Sequence, residues 1–130
     1  RVYWDDWGIH SNMIDFKYRH PLKHEAFVEP HMRFYFQGRA NFFHYSLIDG
    51  ESSPQYVSAD YRLGALRTLT LGLTYGFHLQ NTPGSWGVRG EYMRQWGDGF
   101  PADAIGKQQN INLAPPVNIG SVAVTYSLQF

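Results

Sequence analysis

The sequence predicts an all-β chain: five to six antiparallel strands forming the C-terminal part of a larger transmembrane β-barrel. Residues 1–130 are then one portion of a single barrel domain. Three observations predict this. Apolar and polar residues alternate with a period of two through each segment rich in apolar residues, which places them on opposite faces of a strand. The connections between these segments alternate short and long, as in barrels with short turns at one rim and longer loops at the other. Aromatic residues make up 17% of the chain, and many stand near predicted strand ends: Trp4, Trp7, Tyr18, Phe42, Phe43, Tyr75, Phe77, Trp86 and Trp96. Rings with an apolar body and a polar edge suit a membrane interface, although aromatics favour strands in any setting.

Composition narrows the choice. At 130 residues the length fits one domain. The formal net charge is zero, so no long-range field points to nucleic acid as a partner. Mean hydropathy is −0.41, and no apolar run approaches the roughly 18 residues of a membrane helix. A barrel strand escapes that test, because only every second residue faces lipid. There is no cysteine, which removes disulfides, thiolate zinc sites and cysteine nucleophiles. Known single-chain barrels start at about eight strands. Five or six would leave two unpaired edges in lipid, each unsatisfied group costing several kcal/mol. The segment begins inside a strand-like run without Met, so further strands are expected before Arg1; the alternative is a barrel shared by several chains.

The elements follow in order. Val2-Tyr3-Trp4 reads as the end of a strand, followed by a turn at Asp5-Asp6-Trp7-Gly8. In residues 12–20, Ile14, Phe16 and Tyr18 oppose Asp15, Lys17 and Arg19, and Pro21 with Lys23-His24-Glu25 makes a short turn. In residues 28–40, Val28, Pro30, Met32, Phe34, Phe36 and Ala40 oppose Glu29, His31, Arg33, Tyr35, Gln37 and Arg39. A long connection over about 44–64 contains Asp49-Gly50-Glu51-Ser52-Ser53-Pro54, with Tyr56 to Gly64 a possible strand. In residues 67–78, Leu69, Leu71, Leu73, Tyr75 and Phe77 oppose Thr68, Thr70, Gly72, Thr74, Gly76 and His78. Asn81-Thr82-Pro83-Gly84-Ser85 is a turn. In residues 86–96, Trp86, Val88, Tyr92 and Trp96 oppose Arg89, Glu91 and Gln95, with Gly90 and Arg94 on the apolar face; Arg94 lies near a strand end, where its side chain can snorkel. A second long connection spans about 97–117. The last strand sets Val122, Val124, Tyr126, Leu128 and Phe130 against Ala123, Thr125, Ser127 and Gln129.

That last strand resembles the closing strand of bacterial outer-membrane barrels, whose assembly machinery reads a terminal aromatic after alternating apolar residues. The resemblance implies that Val122, Val124, Tyr126, Leu128 and Phe130 form a membrane-insertion signal. A second resemblance rests on Tyr3-Trp4-Asp5-Asp6-Trp7-Gly8-Ile9 through Tyr18-Arg19-His20-Pro21-Leu22, on Glu29-Pro30-His31-Met32-Arg33-Phe34-Tyr35, and on Ser58-Ala59-Asp60-Tyr61-Arg62-Leu63-Gly64. Together they resemble a family of Gram-negative outer-membrane proteins catalogued only as a domain of unknown function. The resemblance implies a longer protein with a signal peptide, of which this is the C-terminal part. It also implies a setting near flavin-transferase and thioredoxin-like functions, and so a link to envelope redox chemistry.

Several groups of residues are candidates for chemistry. With apolar residues facing lipid, the lumen would receive Asp15, Lys17, Arg19, Glu29, His31, Arg33, Tyr35, Arg39, Arg89 and Glu91, as contacts for a solute or partner. The plainer reading is a set of salt bridges that satisfy one another inside a filled barrel. Asp5 and Asp6 with His10 are weak candidates for a hard cation, against the ordinary role of Asp in turns; no metal site is expected. His20 and His24 flank a turn and are expected to sit in solvent. Ser46, Ser52, Ser53 and Ser58 lie near His44, Asp49 and Asp60, but none has a nucleophile-elbow context, and no catalytic residue is expected. The run from Thr70 to Gly76 superficially suggests a phosphate loop, but no helix follows.

The expected function is therefore non-enzymatic and needs no cofactor: a pore or scaffold in the outer membrane of a Gram-negative bacterium, serving a small polar solute or a protein partner. Its expected partners are outer-membrane lipid and the barrel-assembly machinery, with an envelope protein as a further candidate. One alternative is a sheath around an envelope redox partner. Another, of a different class, is a soluble lipocalin-like barrel, in which the apolar row from Val28 to Phe36 would turn inward around a ligand.

Overall fold

Period-two alternation becomes seven strands in the computed structural model, which describes residues 1–50, 52, 54–79 and 82–128. Outside them lie Gln129 and Phe130 of the expected closing strand, Gln80 and Asn81 of the expected turn, and Glu51 and Ser53 of the first long connection. The strands are β1 (Val2–Trp4), β2 (His10–Lys17), β3 (His20–Pro21), β4 (Phe27–Gln37), β5 (Leu66–His78), β6 (Ser85–Gly97) and β7 (Val117–Ser127). They form one antiparallel sheet in the order β1-β2-β4-β5-β6-β7, with β3 also paired to β4. Val2 is opposite Asn12 and Trp4 opposite His10; His20 is opposite Val28 and Pro21 opposite Phe27. The sheet is open: β1 and β7 stand at its two ends.

The five long alternating segments are all strands, and Val2–Trp4 is a sixth. Two details differ from the sequence reading. His20–Pro21 is a short strand of its own rather than the end of β2 or part of the turn. Proline is tolerated there because the strand is two residues long and lacks only one donor. Tyr56 to Gly64 is not a strand. Among the described residues it holds one isolated bridge, Phe43 to Ser58, and a 3-10 turn over Tyr61–Leu63. Asp60 explains the turn: its carboxylate accepts from the Arg62 backbone N–H at 3.0 Å and from the Arg62 guanidinium. The guanidinium contact holds the Asp60 pKa down at about 2. A side chain that caps the local backbone competes with a ladder.

The short turn after β3 is built as hairpin geometry requires. His24 and Glu25 both have positive φ, 61° and 57°, and the Ala26 N–H donates to the Lys23 carbonyl at 3.4 Å. Two central residues with positive φ match the twist of the flanking strands.

The chain divides into two units. The first comprises residues 1–14, 35–68 and 95–117. Its small core is Ile9, Ala40 and Phe43, with Phe42, Tyr45 and Leu63 packed against it. Gln37, at the end of β4, is buried and donates to the carbonyls of Arg62 (2.8 Å) and Gly64 (3.2 Å). The Ala40 N–H donates to the Leu63 carbonyl and the Asn41 N–H to the Trp7 carbonyl, both at 2.8 Å. These bonds tie the first long connection to the strand ends it joins.

The second unit comprises residues 15–34, 69–94 and 118–130. Here the usual distribution of residues is inverted. Phe16, Tyr18, Met32, Phe34, Leu71, Leu73, Tyr75, Val88 and Tyr92 are exposed, Leu73 by 53%. On β4, β5 and β6 the polar face is the more covered one: Thr70, Gly72, Thr74, Arg89 and Glu91 are half-buried, and His31 and Gly76 are buried, whereas Asp15 and Lys17 of β2 are exposed. The described residues of β7 are exposed on both faces. The ring of Phe27 lies over Gly76, filling the space a side chain would take, and the Arg19 guanidinium stacks 4.0 Å from the centroid of that ring. Aromatic cover of a strand glycine is a known way to fix a curved sheet.

A methyl group at Gly76 would collide with Phe27, whereas one at Gly90 meets nothing. Gly76→Ala is expected to destabilise the folded protein by about 1–3 kcal/mol, and Gly90→Ala by less than about 0.5 kcal/mol. Equilibrium unfolding in urea measures both; equal effects would refute the close approach of Phe27.

Candidate functional site

The covered polar face of the second unit brings five charged or ionisable side chains into contact. Asp15 comes from β2, His31 and Arg33 from β4, and Arg89 and Glu91 from β6. Odd-numbered positions of β4 and β6 share the face because side chains alternate along each strand. His31 reaches Asp15 on the neighbouring strand directly. To reach Glu91 it must span β5, since adjacent strands are about 4.8 Å apart. Gly72 on β5 leaves that path open: a Cβ there would stand 3.0 Å from Glu91 Cγ.

His31 is the centre of the group, with its side chain only 4% exposed. Its Nε2 is 3.0 Å from Asp15 Oδ1 and its Nδ1 is 3.0 Å from Glu91 Oε1. Arg33 Nε donates to Asp15 Oδ2 at 2.7 Å, and Arg33 Nη2 stands 2.5 Å from the same oxygen. Arg89 Nη2 donates to Glu91 Oε1 at 2.6 Å and stands 3.2 Å from His31 Nδ1.

Two proton arrangements are open to this geometry, and Nδ1 bonds Glu91 in one and Arg89 in the other. With both ring nitrogens protonated, His31 donates to both carboxylates. With Nε2 alone protonated, it still donates to Asp15, and Nδ1 accepts from Arg89. Two arginines then oppose two carboxylates, and His31 decides between a net charge of zero and one positive charge. The carboxylate side chains are about a quarter exposed, so each ion pair is worth little in itself. The buried imidazole makes the network costly to break, because an unpaired buried polar group costs about 1–3 kcal/mol.

The remaining lumen candidates lie outside the network. Arg19 and Glu29 form a separate pair at 2.8 Å. Lys17 is exposed, without a polar side-chain contact among the described residues. In the first unit, the Tyr35 hydroxyl donates to Gln37 Oε1 at 2.8 Å, and Arg39 pairs with Asp103 at 3.0 Å. Of the expected insertion residues, Val122, Val124, Tyr126 and Leu128 are exposed.

Asp5 serves as a turn residue. Its carboxylate accepts from the N–H groups of Trp7 (3.1 Å) and Ile9 (2.9 Å) and from the Tyr3 hydroxyl (3.2 Å). No group of three side chains able to hold a metal ion, with Asp6 and His10 or otherwise, occurs among the described residues. Ser58 Oγ accepts from the Asp60 N–H at 3.2 Å, which places Ser58 in the loop scaffold.

Three contributors escaped the sequence reading. Gly72 and Gly76 registered only as small residues on the polar face, but they set what can cross β5 and where Phe27 packs. Their spacing of four on one face, between threonines, is the signal that points to them. Gln37 was one more polar residue in an alternating row; its role depends on a loop more than twenty residues away.

The chain belongs to the family described as Protein of unknown function (DUF3570). That family's model matches residues 1–128. No curated protein and no solved structure matches the chain. Kinship within the family thus fixes descent, and the chemistry has to be read from the network itself.

If His31 holds Asp15 and Glu91 together, their effects cannot add. His31→Phe is expected to destabilise by about 1–3 kcal/mol. Combined with Asp15→Asn, it should show an interaction energy of about 0.5–3 kcal/mol in a double-mutant cycle. Strict additivity in unfolding measurements would show that the two side chains act independently.

Proposed function

We propose that these strands are part of an outer-membrane β-barrel of a Gram-negative bacterium, with the network of His31 on its inner face and lipid against its outer face. The inversion of the second unit carries the reading. Burying a Leu, Phe or Met side chain is worth about 1.5–3 kcal/mol relative to leaving it in water. A face presenting Phe16, Met32, Phe34, Leu71, Leu73, Tyr75 and Tyr92 to the outside is far more apolar than the surface of a soluble monomer. Acyl chains provide the missing contact. A lipocalin-like arrangement would instead cover the apolar row, whereas here His31 is buried and Arg33, Arg89 and Glu91 are half-buried.

Strand length supports the same reading. β4 and β7 have 11 residues, and β5 and β6 have 13; about 9–11 tilted residues cross a hydrocarbon core. No helix among the described residues is long and apolar enough to cross a membrane, so any crossing falls to strands. In this proposal the long connections face outward and the short turns face the periplasm. Insertion depends on the assembly machinery, and other strands pair with the free edges of β1 and β7.

The function is that of a pore or scaffold with a polar lining. Asp15 and Glu91 offset Arg33 and Arg89, so the lining favours small polar solutes over ions of one sign. Because the network links side chains of β2, β4 and β6, it also stiffens the wall against which an envelope partner would rest.

Planar-bilayer recording of the full-length protein tests the pore. A small conductance with weak ion preference is expected, with Arg89→Ala shifting it toward cations. Folded, inserted protein that conducts nothing would overturn the pore and leave the scaffold. Leu71→Arg tests the lipid face: it is expected to impair assembly, costing about 2–4 kcal/mol near the bilayer centre, while Thr70→Arg is tolerated better. Equal assembly of both variants into lipid vesicles would overturn the membrane orientation.

A further inference from the structure

The first unit contains a cavity that plays no part in the charge network. It has a volume of about 320 Å³, and Phe43, Tyr45, Tyr61, Leu66, Gln95 and Leu113 are among the residues that line it. Both long connections contribute to its wall. They are held there by contacts within the protein itself: the Gln37 bonds to the Arg62 and Gly64 carbonyls, the Arg39–Asp103 pair, and the edge-to-face stack of Phe43 on Tyr45 at 4.8 Å. A wall fixed by its own contacts lowers the ordering cost of binding.

We propose that this cavity binds a flat, uncharged fused-ring molecule. Its size falls in the range of small-molecule sites, which are mostly apolar with a few polar groups that fix orientation. Aromatic side chains on the wall favour a planar guest through stacking and edge contacts. Among the described residues no charged side chain lines the cavity, so a charged guest would lose its hydration without compensation. Gln95 supplies an amide that can both donate and accept, matching a ring carbonyl or hydroxyl. Burial raises the pKa of the Tyr45 phenol, so Tyr45 stays neutral at neutral pH and adds no charge to the wall. The inference is independent of whether the strands cross a membrane, because it rests on the first unit alone.

Coumarin, a neutral fused-ring carbonyl compound, is the probe, followed by saturation-transfer NMR on the folded full-length protein, in buffer if it is soluble there and otherwise in lipid nanodiscs, with the protein-free sample subtracted. Saturable binding is expected. Ala114→Phe, which fills the cavity wall, is expected to abolish it, and Tyr61→Ala, which removes an exposed ring, to weaken it at least fivefold. Coumarin-3-carboxylate is expected to bind at least tenfold more weakly than coumarin. Ala114→Phe also risks the loop fold; Tyr61→Ala and the carboxylate comparison do not depend on it. No saturable signal, equal binding by Tyr61→Ala, or equal affinity for the two probes would each overturn the proposal.

Discussion

A sheet can cover its charged face only where the charges find one another. In the unit of residues 15–34, 69–94 and 118–130, everything else follows from that requirement. His31 is the most deeply covered of the ionisable groups there, and both its nitrogens are engaged. Asp15 and Glu91 are held between it and an arginine each. Gly72 keeps the strand between them clear: a Cβ there would stand 3.0 Å from Glu91 Cγ and crowd the side chain that reaches from β6 toward β4. Remove the network, and the covered face becomes a set of partly dehydrated charges with no reason to be covered.

The two units meet the same problem, which is to pack residues with little apolar core, by different means. Among its described residues the first has a small buried cluster, Ile9, Ala40 and Phe43, and leans on hydrogen bonds from a buried amide, Gln37, to loop carbonyls. Such bonds are worth about 1 kcal/mol each in net terms, so they act as locators more than as a source of stability. Among the described residues the second shows no buried apolar cluster of that kind and relies on ion pairs and on Phe27 over Gly76.

Strands were legible in the sequence because each depends on a pattern confined to about ten neighbouring residues. Ile14-Phe16-Tyr18 against Asp15-Lys17-Arg19 states its two faces without help from the rest of the chain. Which residues share the polar face was legible for the same reason: alternation assigns a face. Which of them touch was not, because His31 to Glu91 spans sixty positions and depends on the register of three strands and on a glycine. The region from Tyr56 to Gly64 was misread because Tyr56, Val57 and Tyr61 suit a strand, while Asp60 bonds its own backbone and wins locally. The cavity was illegible altogether, since its wall joins two connections whose contacts have no period.

The exposure of β7 has a consequence for the life of the chain before it reaches its final surroundings. Val117–Ser127 contains no charged residue and no proline, the residues with which natural proteins usually guard a free strand edge. Its unpaired amides and its row of Ile119, Val122, Val124 and Tyr126 offer a template on which another copy can stack. In water that makes self-association a competitor of folding. A chain with such an edge is safest when held apart by an escort until the edge finds its proper neighbour.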